Sequence, residues 1–232
     1  MSQSVKKNVD HTSYPTRATD VSIPPIGLAG SLRSPSKPRA IVVFAHGSGS
    51  SRLSPRNVYV AEALNRFGFA TLLFDLLTQD EEVDRSNVFD IPLLAERLIA
   101  ALTWISAEPQ TTKLRIGLFG ASTGAAAALV AAAACGDRVS AVVSRGGRPE
   151  LAASALDEVR APTLLIVGAN DPEVLVLNRK ALARLAGPKE LSIIPGASHL
   201  FSEPGALDAV VAEAGAWFAR YLLLATRNAG EN

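Results

Sequence analysis

The chain of 232 residues holds one cysteine, Cys135, so no internal disulfide can stabilise it. Aromatic residues make up only 6%, which disfavours a base-stacking surface. No sign of charge dominates. Lys+Arg 23 against Asp+Glu 22 leaves a formal charge of +1, which disfavours a strongly basic nucleic-acid binder and leaves a local basic patch open. The longest apolar run, Thr123 to Cys135, is mostly alanine and too short to span a bilayer. The segment Met1 to Lys7 has no apolar run behind it and does not read as a secretory signal. These absences predict a soluble, cytoplasmic protein with neither nucleic acid nor membrane as a partner. What is present is a core: 48% of residues are apolar and 19% charged, which excludes wholesale disorder.

Residues 1–20 are polar and non-periodic and read as a flexible N-terminal arm. Residues 226–232 read as a C-terminal tail, and residues 21–225 as a single domain. Within it, short runs apolar at nearly every position alternate with longer amphipathic segments. The runs are Ala40–Ala45, Ala70–Phe74, Leu114–Phe119, Val139–Val143 and Thr163–Val167. A strand reads this way when helices cover both faces of a parallel sheet. Glu190–Ile194 predicts a shorter strand nearer an edge, and residues 21–33 suggest an antiparallel hairpin. Ser54-Pro55 starts a helix whose inner face carries Val60, Ala61, Leu64 and Phe67, and Gly68 stops it. Leu94, Leu98, Leu102 and Ile105 form a second stripe. Leu207, Val210, Val211, Ala214, Trp217, Phe218 and Tyr221 form a third, on the last helix. The expected fold is α/β, a doubly wound, mostly parallel sheet with helices on both faces and no large cap domain. Ligands of such sheets bind beyond the carboxyl ends of the strands.

Gly120-Ala121-Ser122-Thr123-Gly124 lies at such an end, between a predicted strand and the alanine-rich helix. A serine on a very tight strand-to-helix turn needs small neighbours, because side chains at Gly120 and Gly124 would collide. The turn pushes the hydroxyl outward, and the helix N-terminus favours negative charge beside it. The competing reading is a glycine-rich turn in which Ser122 merely caps the helix. Serine needs a base, and the base needs an orienting acid. His199, on the loop after the last strand, is the candidate base. His11 lies in the arm, and His46 reads as an anchor for its own loop. Asp171, in Gly168-Ala169-Asn170-Asp171-Pro172, is the candidate acid, with Glu150 as rival. An aspartate before proline is also an ordinary helix N-cap. The order Ser122, Asp171, His199 is the order of the α/β-hydrolase arrangement. Oxyanion donors would be the backbone N–H groups of Thr123 and Ser48. Gly49, Arg52, Leu76, Arg145 and Phe201 are candidate substrate-binding residues, with an arginine able to fork a substrate carboxylate. Thr78 to Asn87 reads as an exposed loop without chemistry.

His46-Gly47-Ser48-Gly49-Ser50-Ser51-Arg52, Gly120-Ala121-Ser122-Thr123-Gly124, Gly168-Ala169-Asn170-Asp171 and Ser198-His199 together resemble the α/β-hydrolase superfamily, in its dienelactone hydrolase-like branch. The resemblance spans roughly residues 21–225. It implies a serine hydrolase acting on small carboxylic esters through an acyl-enzyme, with no metal and no organic cofactor. Dienelactone hydrolases proper use a cysteine nucleophile, whereas the elbow here holds Ser122, and Cys135 lies at the far end of the following helix. The same triad would also suit a thioesterase, an amidase or an acyltransferase. A non-catalytic binding module of this fold is a further alternative. Gly117, Gly120 and Gly124 do not make Gly-x-Gly-x-x-Gly, and no Gly-Lys-Ser/Thr loop exists, so a nucleotide-binding fold is disfavoured. The expected partner is a small-molecule ester, and a homodimer is among the compatible assemblies.

Overall fold

The computed structural model describes residues 16–223. Its strands are β1 (Thr16–Ile23), β2 (Leu28–Pro35), β3 (Ile41–Ala45), β4 (Ala70–Phe74), β5 (Ile116–Ala121), β6 (Val139–Arg145), β7 (Thr163–Gly168) and β8 (Lys189–Ile194). They form one sheet in the order β1-β2-β4-β3-β5-β6-β7-β8. β3 to β8 run parallel, β2 is antiparallel to β4, and β1 is antiparallel to β2. The helices are α1 (Pro55–Arg66), α2 (Gln79–Val83), α3 (Ile91–Ala107), α4 (Thr123–Cys135), α5 (Pro172–Arg184) and α6 (Ala206–Phe218). No helix among the described residues is long and apolar enough to cross a membrane.

The unbroken apolar runs are explained by what covers them. Along β3, Ile41, Val43 and Ala45 enter one core layer, beneath Leu94, Leu98 and Leu102 of α3 and the alanines of α4. Val42 and Phe44 enter the other, beneath Val60 and Leu64 of α1 and Val210, Ala214 and Phe218 of α6. Both faces of the strand are dry, so alternation disappears from its sequence. Leu98 and Phe218 are each 0% exposed, and burying such a side chain contributes about 1.5–3 kcal/mol. α4 lies against β5 and α3 with alanine at eight of its thirteen positions, which lets its backbone approach closely.

Three expectations change. Residues 16–20, expected in the arm, are the first half of β1, paired with Ser31 to Pro35 of β2. The rest of that arm and the tail 226–232 lie outside the described residues. Phe67 does not join the inner face of α1. It follows the helix as its C-cap, 44% exposed, with its ring beside Gly215 of α6. Thr78 to Asn87 is folded rather than a loop. The Thr78 hydroxyl accepts from the Glu81 amide, and the Glu81 carboxylate accepts from the Thr78 amide. This reciprocal capping box starts α2. Glu81 also holds Arg97 of α3 at 2.7 Å. β8 forms the far edge as expected, though at six residues it is no shorter than its neighbours.

The candidate active site

Strand order reverses around β3. The chain runs from β3 outward to β4 and then back across to β5. Register pairs Ala45 with Gly120, so the segments leaving β3 and β5 emerge side by side at this switch point. One carries His46 to Ser50, the other Ser122.

Ser122 has φ 51° and ψ −121°, a conformation that non-glycine residues rarely adopt. Its neighbours make the turn possible. A Cβ on Gly120 would fall 2.4 Å from the Ala125 Cα, and one on Gly124 would fall 2.2 Å from the Ala45 carbonyl oxygen. Ser122 occupies the N-cap position of α4, yet its hydroxyl makes no cap hydrogen bond. The simple capping reading therefore fails, and the hydroxyl faces a cavity of ≈270 Å³. His199, Arg145, Arg56, Ser48 and Ser54 line that cavity as well.

Asp171 and His199 arrive from the ends of β7 and β8. Their two loops are zipped together by main-chain bonds, Ala169 N–H to Ile194 O and Asn170 N–H to Ala197 O, each 2.9 Å. The contact needs Gly168, whose Cβ would sit 2.2 Å from the Ala197 oxygen. Asp171 is the N-cap residue of α5, but its side chain makes no cap bond. Its carboxylate Oδ2 instead lies 2.7 Å from His199 Nδ1. Nδ1 therefore donates to Asp171, which leaves Nε2 as the basic nitrogen. The rival acid Glu150 is committed to an ion pair with Arg148.

The Thr123 amide opens α4 beside Ser122. The Ser48 amide is already engaged, donating to the Thr123 hydroxyl at 2.9 Å. His46 is 7% exposed and ties strand ends together. Its Nε2 accepts from the Leu76 amide at 3.1 Å, so Nδ1 carries the proton toward the Gly47 carbonyl at 3.0 Å. Burial lowers its pKa below 6.5, against the opposing pull of the Gly47 bond and of Asp75 and Glu82. Above pH ~6.5 the ring is neutral folded and unfolded, and stability is complete. Below it the unfolded chain binds a proton that the native ring refuses, so stability falls as pH drops toward the folded value. We expect the urea midpoint to decline below pH ~6.5 with a slope of at most about 1.4 kcal/mol per pH unit from this group. His46→Gln should flatten the decline; an unchanged slope would assign it to other groups.

The substrate-binding expectations divide. Arg145 lines the cavity with Ser122. Gly49, at φ 67°, lines the adjoining depression and not the cavity that holds Ser122. Arg52 is turned away, its guanidinium and amide both held by Asp75 in a separate depression. Leu76 is 0% exposed and belongs to the core between β4 and α3. Phe201 is 2% exposed and serves as a shelf under Arg145, whose guanidinium carbon lies 5.9 Å from the ring centroid. Leu76 and Phe201 therefore do not form an open acyl site. Cys135 ends α4, about 20 Å along the helix from Ser122. Burial pushes its thiol up, away from the reactive thiolate.

An eight-stranded sheet of this order, a serine on a strained elbow and a histidine–carboxylate pair opposite it define an α/β-hydrolase fold. The chain belongs to the dienelactone hydrolase family, whose sequence model matches residues 28–224. It is 56% identical to a dienelactone hydrolase from Anabaena variabilis ATCC 29413, with a TM-score of 0.86 over 90% of this chain and 99% of that one. Est1E from Butyrivibrio proteoclasticus shares the fold at 17% identity, TM-score 0.73, over 87% of this chain and 98% of that one. Two Mycobacterium tuberculosis proteins, of strains CDC 1551 and H37Rv, are 60% identical over 198 residues. Both carry the name "Putative phosphoribosyl transferase". The match covers 85% of this chain and 45% of theirs, so the chain spans less than half the length of these curated relatives.

Proposed function

We propose that the protein hydrolyses carboxylic esters through an acyl-enzyme on Ser122. The observation that carries this reading is the shared cavity: Ser122, uncapped on its elbow, and His199, held through Nδ1 by Asp171, line the same ≈270 Å³ space. His199 Nε2 takes the Ser122 proton as Oγ bonds to the ester carbonyl carbon. The carbonyl oxygen becomes an oxyanion, received by the Thr123 and Ser48 amides. A charged acceptor forms a bond roughly twice as strong as a neutral one, so the oxyanion displaces the Thr123 hydroxyl from the Ser48 N–H. His199 returns the proton to the alcohol oxygen as the carbonyl C–O bond breaks. Water then attacks the acyl carbon, its proton passing to His199 and on to Ser122, and the carboxylate leaves. Asp171 holds the imidazole tautomer and stabilises its cation throughout.

The transferase name belongs to proteins of which the match covers only 45%, and a nucleophile, a base and oxyanion donors are what the residues of this site support instead. The test is covalent. A fluorophosphonate should modify the wild-type protein one-to-one on the Ser122 peptide, in step with loss of p-nitrophenyl acetate turnover. Turnover that survives complete labelling would remove Ser122 from the reaction.

A further inference from the structure

We propose that the cavity beside Ser122 contains a phosphate-binding subsite built from Arg145, Arg56 and the N-terminus of α1, and that the ester cleaved there carries a phosphate monoester group. The second half rests on the hydrolase reading above; the first half does not.

The argument begins with charge left without a partner. Arg145 ends β6 and is 7% exposed, yet no carboxylate faces its guanidinium among the described residues. Its one hydrogen bond is from Nη2 to the neutral Asn57 Oδ1, at 3.3 Å, and its Nε has no partner. Arg56, in the first turn of α1, lines the same cavity, makes no ion pair, and also has a buried, unpartnered Nε. Four partly buried arginines elsewhere are matched by carboxylates, Arg33 with Glu62, Arg52 with Asp75, Arg97 with Glu81 and Arg148 with Glu150, while Arg115 donates to the Tyr221 carbonyl. A cation kept away from both water and counter-charge is unfavourable unless an anion completes the site. The two guanidiniums also act on each other. Burial first, and then the Arg56 charge, bring Arg145 down to about 10, so it remains cationic at neutral pH.

The helix adds to this field. α1 runs for twelve residues from Pro55, with no acidic side chain in its first turn. Ser54 stands at the N-cap without a cap hydrogen bond, and its side chain lines the cavity. The free amides at that end favour negative charge. One arginine fork suffices for a carboxylate. Two arginines from different elements, a helix N-terminus and the Ser50 and Ser54 hydroxyls suit the several oxygens and double charge of a phosphate monoester. At ≈270 Å³ the cavity has the volume of about nine liquid waters, which accommodates such a group beside the reacting carbonyl.

Inorganic phosphate is the probe, titrated by calorimetry into the full chain carrying Ser122→Ala, so that no turnover interferes. One phosphate should bind per chain. Arg56→Gln and Arg145→Lys, each in the same background, should weaken its Kd at least tenfold, and equimolar acetate should not displace it. Thermal melts check that the variants fold. If Arg145→Lys does not, Arg56→Gln, half-buried at a helix start, decides alone. No binding at millimolar phosphate, a Kd unmoved by both substitutions, or equal displacement by acetate overturns the subsite. In the otherwise native chain, 1-acetylglycerol 3-phosphate should exceed p-nitrophenyl acetate in kcat/KM by at least tenfold, and Arg56→Gln should erase that preference. Phosphate binding without turnover of either ester would sink the hydrolase reading and leave the subsite standing. Turnover of both esters with no preference and no phosphate binding would do the reverse.

Discussion

Ser122→Ala and His199→Ala are each expected to lower kcat for p-nitrophenyl acetate by about 10⁶-fold, and the double variant should be no slower than either alone. The reason is that neither group acts by itself. The Ser122 hydroxyl is a weak nucleophile until its proton leaves, and His199 Nε2 has no other proton to take. Removing one partner idles the other. Asp171→Asn should cost less, about 10⁴-fold, while leaving the backbone zipper between the β7 and β8 loops intact. An asparagine can turn an N–H toward Nδ1, which moves the imidazole proton to Nε2 and blocks the base. Under the proposed scheme, what should survive in all three variants is oxyanion stabilisation by the Thr123 and Ser48 amides, about 10³–10⁴ over water. Steady-state kinetics with active-site titration measure all of this. Losses that multiply in the double variant would mean the two residues act in separate steps, contrary to the scheme.

The parts of this arrangement that were legible in the sequence are those whose physics is local. β3 to β7 announce themselves because both faces are buried, and Ser122 because its turn tolerates only small neighbours. His199 and Asp171 follow from their places after strands, where the topology delivers them to one rim. Partnership at a distance was not legible. Asp171 could have been a helix cap, and only the 2.7 Å contact with His199 distinguishes the roles. Arg52 and Arg145 look alike in sequence, both near strand ends. Asp75 holds one and no carboxylate faces the other, which separates a loop anchor from a candidate anion ligand. β1 was hidden because Thr16 to Asp20 are exposed and polar, and their order comes from pairing with β2 rather than from apolar burial. The capping box at Thr78 and Glu81 did carry a signal, Thr-x-x-Glu, masked by the acidic run around it.

Gly124→Ala is expected to destabilise the protein by more than about 4 kcal/mol, a large fraction of the 5–15 kcal/mol typical of a domain. The new Cβ would lie 2.2 Å from the Ala45 oxygen and 2.3 Å from the His46 oxygen. Both are main-chain atoms of the β3 end, so no rotamer change relieves the clash. α4 would have to retreat from the sheet, and it is held there by Ala125, Ala126, Ala127, Ala128 and Leu129, all 0% exposed. Retreat would open voids along that whole face, and such space adds to the cost. Gly205→Ala is the comparison. Its φ is 78° and nothing lies within 4 Å of the added Cβ, so only the left-handed backbone penalty of about 1–2 kcal/mol applies. Urea unfolding of the two variants should therefore separate widely. A Gly124→Ala midpoint close to that of Gly205→Ala would show that α4 does not press on β3 as described. Because Ser122 rides on the first turn of α4, whatever Gly124→Ala protein stays folded should also lose the proposed esterase turnover, while Gly205→Ala, whose added Cβ meets nothing within 4 Å, should keep it.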